Sequence, residues 1–323
     1  MKAMTGPRYG SPDVLELREF PTPEPGEGDV LVRIRATTVT AADCAFRSGR
    51  PLTARLYAGP FRPRFRVLGG SFSGEVAAVG REVTRFAEGD RVFGLNTNGF
   101  GTHAEYVRVP QDGILTGITS GLTHEQAASL TEATTALTFL RDVHPARAGQ
   151  RVLVNGATGS VGGYGVQLAV HLGAEVTGVC RAANAELARS LGARRTVDYT
   201  AADPTDPGSL DGLRQDVFFD AAGKSSFSRA RRVLTADGAY LTTEATPSAL
   251  FHALRTAKGR GRICRFSATG LRQSTDNLVH LDGLAGSGAV RAFIDSTFPL
   301  ERLADAHRRV ESGHKAGSVV VTL

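Results

Sequence analysis

Residues 151–181 read RVLVNGATGSVGGYGVQLAVHLGAEVTGVCR, and the fold class follows from how this stretch is parsed. Val152-Leu153-Val154 is an apolar run short enough to be a buried parallel strand. A glycine-rich turn follows, Gly156-Ala157-Thr158-Gly159-Ser160-Val161-Gly162. Gly163 to Leu172 is long enough for a helix, with Val166, Leu168, Ala169 and Leu172 able to face a sheet. Gly173 stands just past that helix, where a chain reversal favours glycine. Glu175 to Cys180 supplies a second β-rich run. A β-α-β unit of about 30 residues, small in its first turn, is the pattern that binds a dinucleotide. The backbone can approach a pyrophosphate, and the helix offers it N–H groups and a positive dipole end. Parsed as G-x-G-x-x-G, the turn puts alanine first: Ala157, Gly159, Gly162.

Working outward, strands and helices keep alternating: a helix over 184–191, TVDY (196–199), DVFFDAAG (216–223), a helix over 225–234, then GAYLTT (238–243). That alternation predicts a doubly wound parallel sheet. The N-terminal third reads differently. Short runs punctuated by glycine and proline (15–17, 30–34, 68–80, 89–95, 101–109) predict a compact β-rich domain. A short helix is expected within 36–50, with Asp43 at its N-cap, and 51–66, with Pro51, Pro60 and Pro63, reads as a loop. Helices are expected over 123–140 and 300–312, and a last strand over 317–323.

Composition bounds the class. The chain has 323 residues, 41% hydrophobic and 22% charged, as in globular proteins of two ordinary domains. No run approaches the roughly 18 apolar residues of a membrane span, and MKAMTGPRYG lacks a signal-peptide core, so a cytoplasmic protein without a membrane partner is expected. Cys44, Cys180 and Cys264 are scattered and give no disulfide framework. The net charge of +6 is spread along the chain rather than blocked, and no nucleic-acid partner is expected.

Several blocks in order resemble the zinc-independent quinone oxidoreductase and enoyl reductase branch of the medium-chain dehydrogenase/reductase superfamily. They are MKAM…YG…DVLEL, GEGDVLVRIRATTVTAAD, LGGSFSGEVAAVG, FAEGDRVFGL, GTHAEYVRVP, NGATGSVGGYGVQLA and FPLERLADAHRRVESGHKAGSVVVTL. The resemblance implies a Rossmann domain inserted in a GroES-like β-rich domain: catalytic domain 1–120, nucleotide domain 121–263, return 264–323. It also implies a homodimer paired along Gly261 to Phe266. Zinc relatives carry a cysteine where this chain has Thr40 and G-H-E where it has Gly69-Gly70-Ser71, so no metal is expected. An active-site tyrosine that often follows Asp43 by two is Ala45 here. Thr40 is then the candidate donor to a substrate oxygen and Tyr57 the nearest candidate acid, with a packed loop aromatic as the plain alternative.

The cofactor half is read residue by residue. After the second strand an NAD-specific chain carries Asp or Glu, but here Cys180 is followed by Arg181-Ala182-Ala183-Asn184. An arginine there suits a 2′-phosphate, hence NADPH. The resemblance adds Tyr199 near the adenosine phosphate and Thr135 beside the nicotinamide. Ala222 and Gly223 follow a later strand, where backbone would approach the adenine ribose. The expected activity is NADPH-dependent reduction of an activated C=C bond in an α,β-unsaturated carbonyl or quinone. A zinc-free NADPH carbonyl or alcohol oxidoreductase and a non-catalytic NADPH- or RNA-binding protein are the alternatives.

Overall fold

The computed structural model describes residues 1–97, 99–244, 246–257, 261–266 and 273–323. The chain forms two compact units, one from 1–131 with 274–323, the other from 132–273. The first unit begins with β1 (Lys2–Thr5), β2 (Glu16–Glu19), β3 (Asp29–Val39), α1 (Ala41–Ser48) and α2 (Ala54–Ala58). It continues with β4 (Ser71–Val79), β5 (Arg91–Leu95), β6 (Tyr106–Pro110), β7 (Ile114–Gly117) and α3 (His124–Leu130). The second unit holds α4 (Ala133–Leu137), β8 (Arg151–Asn155), α5 (Ser160–His171), β9 (Glu175–Cys180), α6 (Ala185–Ser190) and β10 (Arg195–Asp198). It is completed by β11 (Gln215–Asp220), α7 (Phe227–Ala230), β12 (Leu234–Thr242), α8 (Pro247–Thr256) and β13 (Ile263–Phe266). The chain then returns with α9 (Thr275–Gly286), β14 (Ile294–Pro299), α10 (Leu303–Glu311) and β15 (Ser318–Thr322).

In the second unit all strand pairs are parallel, in the order β10-β9-β8-β11-β12-β13. β8 lies centrally, with Val152, Leu153 and Val154 fully buried, which is why that run shows no alternation. In the first unit β14-β15-β3-β4-β5-β7 form the main sheet, and β6 pairs with β3. Val30, Val32, Ile34, Phe72, Val92 and Leu115 pack inside it. The unit limits differ from the expected 120/121 and 263/264. Ser129 on α3 donates to the Ser318 hydroxyl on β15 at 2.9 Å, so α3 belongs with the first unit. β13 pairs with β12, so it stays with the second.

Several local expectations change. Thr40, not Asp43, caps α1, and Asp43 is the third residue of the same capping box. The 51–66 segment is not all loop, since α2 lies within it. α5 begins at Ser160, ahead of Gly163, because Gly159 is extended and its carbonyl takes the Gly163 N–H. The helix expected over 225–234 is only α7, because β12 must already pair with β11 at Leu234. α8, α9 and β14 were not among the elements expected from the sequence. Buried Asp282 explains part of this for α9: it accepts from the Thr119 N–H at 3.0 Å and from the Ser120 hydroxyl at 2.6 Å, so a polar residue faces inward.

Two backbone constraints shape the glycine turn. Gly156 is left-handed at φ +83°, and a Cβ on it would lie 2.9 Å from the Ala222 methyl. A Cβ on Gly162 would lie 2.1 Å from the Gly156 carbonyl oxygen, so the start of α5 touches the end of β8. Gly162→Ala is therefore expected to cost about 1–3 kcal/mol of stability. Gly159→Ala, whose Cβ would meet the Gly156 oxygen at 3.4 Å in an ordinary extended conformation, should lose only the preference for glycine over alanine at an N-cap, at most about 1 kcal/mol. Denaturant unfolding of the two variants checks this, and equal losses would contradict it.

The first unit buries a polar cluster under α1. Arg47 is buried and donates Nε–H to His307 Nδ1 at 3.3 Å; its Nη groups reach the Gly10 carbonyl and Glu311. Because His307 Nδ1 accepts, its proton sits on Nε2. Burial, with His103 and Arg47 nearby, lowers His307 to about 2. Burial likewise holds His103 below the usual histidine range, against the opposing pull of Asp43. Both histidines are neutral when folded, whereas the unfolded chain protonates them below about pH 6.5. The contribution of His307 to stability is complete above that pH and falls as pH drops, by up to about 1.4 kcal/mol per unit, and the lowering of His103 acts in the same direction. Urea midpoints measured from neutral pH down to about pH 5 should fall accordingly, and a flat curve would contradict the neutral pair.

Candidate active site

The nucleotide half lies at the carboxyl ends of the second unit's central strands, where doubly wound sheets bind ligands. The N–H groups of Gly156 and Ala157 both point back to the Val179 carbonyl, at 3.1 and 2.9 Å, locking the turn onto β9. Ala157 is fully buried and carries no open donor, so its part is to pack rather than to touch a ligand. The left-handed residue at the head of the turn is Gly156, one position ahead of the alanine in the motif. Thr158 is buried and its hydroxyl accepts from Asn184 Nδ2 at 3.4 Å. Gly159, the N-cap of α5, has no side chain, and the first turn of α5 contains no acidic residue. The first helical bond is Gly163 N–H to the Gly159 carbonyl, leaving Val161 and Gly162 N–H in the helix's uncapped first turn. Backbone donors, a positive dipole end and no side chain in the way fit a pyrophosphate.

The adenosine end is built from the next two strands. Cys180 ends β9 buried, and burial raises its thiol above the ordinary range, so it is a packing residue. Exposed Arg181 donates Nε–H to the Tyr199 hydroxyl at 2.8 Å, with its guanidinium 6.0 Å from the Tyr199 ring centre. The two residues read separately from the sequence thus form one unit, a cation oriented by a phenol. The nearest acid, Asp198, is held below the usual carboxylate range by the Thr200 N–H and hydroxyl, with Arg181 a smaller influence.

Ala222 and Gly223 lie in the turn after β11, Gly223 at φ +64°. That turn is shaped by Asp220, the last residue of β11 and the head of the Asp220–Gly223 stretch. Asp220 is fully buried and accepts from Asn155 Nδ2, the Ser225 N–H and the Tyr240 hydroxyl, each at 2.8 Å, and from the Lys224 N–H at 3.3 Å. The signal was present: VLVN and VFFD both end an apolar strand in a polar residue. Thr135 is half-buried on α4, within the same unit.

The first unit carries Thr40 and Tyr57. The Thr40 hydroxyl donates to Asp43 Oδ2 at 2.6 Å and accepts from the Asp43 N–H at 3.3 Å. Asp43 Oδ2 also takes the Thr40 N–H at 2.8 Å, while Oδ1 takes the Gly69 N–H at 3.2 Å. One buried carboxylate therefore ties together the two stretches in which zinc relatives place ligands. Ser71 is committed too, its hydroxyl 2.8 Å from that of Thr38. Among the described residues no group of three His, Cys, Asp or Glu is placed to hold a metal ion. Cys44, beside this network, is pushed up to about 12, chiefly by burial, and is an inert thiol. Tyr57 is 47% exposed and donates to the Thr97 carbonyl at 3.0 Å. Its ring contacts Phe46, Phe65 and Phe100 at centroid distances of 5.5, 5.7 and 6.2 Å.

Comparison with known proteins agrees with this arrangement. Residues 26–119 match the alcohol dehydrogenase GroES-like domain family, and residues 191–321 match the zinc-binding dehydrogenase family. A quinone oxidoreductase of Pseudomonas aeruginosa is 31% identical, over 97% of this chain and 97% of that protein. An NADPH-dependent alkenal/one oxidoreductase of Arabidopsis thaliana chloroplasts is 30% identical, over 99% of this chain and 79% of its own length. The solved quinone oxidoreductase of Coxiella burnetii superposes with a TM-score of 0.88 at 26% identity, covering 100% of this chain and 99% of that one. Near-complete coverage by relatives at this identity, on the same fold, means that the chain belongs to the quinone oxidoreductase family of medium-chain dehydrogenase/reductases.

Proposed function

We propose that the chain is an NADPH-dependent reductase of an activated C=C bond, in an enone or a quinone, and that it works without zinc. The observation that carries the metal-free part is the set of residue types at the ligand positions: Thr40 and Gly69-Gly70-Ser71 stand where zinc relatives place ligands, and the Thr40 hydroxyl and the Gly69 N–H are both committed to Asp43. The cofactor assignment rests on the uncapped α5 turn and the Arg181–Tyr199 pair, and the named activities of the relatives support the substrate class.

The bound cofactor would supply hydride. The chain's residues do the rest. The turn 156–162 would hold the pyrophosphate at the first turn of α5, and Arg181, oriented by Tyr199, would pair with the 2′-phosphate. In an enone, hydride transfer to the β-carbon would send the alkene electron pair toward the carbonyl oxygen, and the α-carbon would then take up a proton. The charge is spread over an enolate, so a hydrogen-bond donor can stabilise it without a Lewis acid. Thr40 fills that role by exchanging its Asp43 acceptor for the substrate oxygen, with the Thr40 and Gly69 N–H groups still holding the carboxylate. Tyr57 is the proposed acid, since its exposed hydroxyl is held only by the Thr97 carbonyl among the bonds described. A cytoplasmic location belongs to the same reading, with all three cysteines buried as free thiols.

The chain is further proposed to dimerise along β13. That strand is the edge of the parallel sheet, and α8, which packs on it, leaves Leu250, Phe251 and Leu254 exposed by 47, 58 and 70%. Pairing would cover both.

Three measurements test these assignments. Arg181→Ala should weaken NADPH roughly tenfold or more, the loss of a charge-assisted bond of about 1.5–3 kcal/mol, and leave NADH little changed. Equal losses would make Arg181 a structural residue. With deuterated NADPH and an enone, in the presence of a chelator, deuterium should appear at the β-carbon of the saturated ketone. A deuterated carbinol with its alkene intact, or activity abolished by the chelator, would overturn the reading. In the same assay Thr40→Ser should retain activity and Thr40→Val should lose it, beyond the roughly 1 kcal/mol of stability that the cap contributes. Light scattering should give a dimer for the native chain and a monomer for Phe251→Glu, and a monomeric native chain would remove the interface.

A further inference from the structure

Between Asp43 and Glu75 the chain contains no acidic residue and six arginines, Arg47, Arg50, Arg55, Arg62, Arg64 and Arg66. Arg47 is buried on Glu311, and Arg55 lies 4.7 Å over the Tyr9 ring. Arg50, Arg62, Arg64 and Arg66 are exposed, and none pairs with a carboxylate among the described residues. Elsewhere the exposed arginines are mixed: Arg81, Arg189, Arg194, Arg195 and Arg302 each pair with an acid, whereas Arg8, Arg231 and Arg255 show no ion pair among the described residues; what sets 50–66 apart is four such arginines in one stretch that has no acid of its own.

The same segment carries Phe61, Leu56 and Leu52, exposed by 90, 89 and 72%, the three most exposed large hydrophobic side chains among the described residues. Their exposure does not come from a frayed backbone. The Tyr9 hydroxyl binds the Gly59 carbonyl, Arg55 Nε binds the Gly49 carbonyl at 3.1 Å, and the Arg64 N–H binds the Ala58 carbonyl at 2.6 Å. Tyr57 anchors α2 from beneath through Thr97 and the Phe46–Phe65–Phe100 cluster. The segment 50–66 thus holds apolar and basic side chains outward on an ordered backbone.

We propose that this face docks peripherally on an anionic lipid surface. Leu52, Leu56 and Phe61 enter the boundary between headgroups and acyl chains, and Arg50, Arg62, Arg64 and Arg66 meet the phosphates. Among the described residues no helix is long and apolar enough to cross a membrane, and lying on a surface requires none. Each arginine beside an anionic leaflet strengthens attachment about fivefold, and the effect is screened by salt. A polynucleotide would be met by aromatic side chains on which bases stack, whereas two of these three apolar groups are aliphatic. Docking here does not rest on the reductase reading, although Tyr57, the acid proposed there, lies on the same helix as Leu56.

The test is cosedimentation of the full chain with vesicles of phosphatidylcholine alone and of phosphatidylcholine mixed with phosphatidylglycerol. The native chain should pellet only with the mixed vesicles and be released by high salt. Leu56→Ser/Phe61→Ser and Arg62→Glu/Arg64→Glu should each reduce the bound fraction constant at least tenfold, with unfolding temperatures like that of the native chain. A native chain left in the supernatant, or variants that pellet like it, would overturn the proposal. So would binding of single-stranded RNA or polyglutamate that both variants lose while vesicles leave the native chain unbound.

Discussion

The second unit depends on one close approach, Gly162 of α5 against the carbonyl of Gly156 at the end of β8. A side chain at 162 would stand 2.1 Å from that oxygen, so only hydrogen permits the helix to start where it does. From that contact come the direction of α5 across the sheet and the exposure of its first N–H groups. The locking of residues 156 and 157 onto the Val179 carbonyl makes the same turn rigid from the other side. An anion site made of backbone donors needs such rigidity, because N–H groups that had to be ordered on binding would lose affinity to entropy.

The two units use a buried carboxylate in the same way. Asp220 gathers donors from β8, β12 and the turn after β11, and so fixes residues 221–225 at the ligand end of the parallel sheet. Asp43 gathers donors from Thr40 and Gly69 and so fixes the start of α1 against the approach to β4. Neither is exposed, and each is satisfied by several hydrogen bonds, which is the condition under which a buried carboxylate is tolerable. The nearby histidines are kept neutral by burial, so the positive charge under α1 rests on Arg47.

The parallel sheet was legible because its signals are local. VLVN, EVTGVC and DVFFD are uninterrupted apolar runs, and the glycine turn has a spacing that few other structures require. β9 was read with its observed limits, Glu175–Cys180. α9 and β14 were not legible: α9 buries Asp282, and β14 has mostly half-buried residues with no alternation to follow. The cap of α1 was misplaced by three residues because Thr40 and Asp43 are both good capping types, and only backbone geometry separates the cap from the third position of the box.

By itself the sequence determined the class of the second unit, its nucleotide turn, the cation at Arg181 and the lack of zinc-ligand types at 40 and 69–71. These are properties of residue type and short spacing, and they hold wherever the chain goes. What only the tertiary structure decided is how those residues are used. Arg181 and Tyr199 become one pair because β9 and β10 are neighbours, and Gly156 admits no side chain because Ala222 approaches it from the turn after β11. Asp43 becomes a bridge because Gly69 returns beside α1. Each is a contact between segments far apart in the chain. Such contacts exist only after strand order and register are set, and nothing in a stretch of sequence carries that information locally.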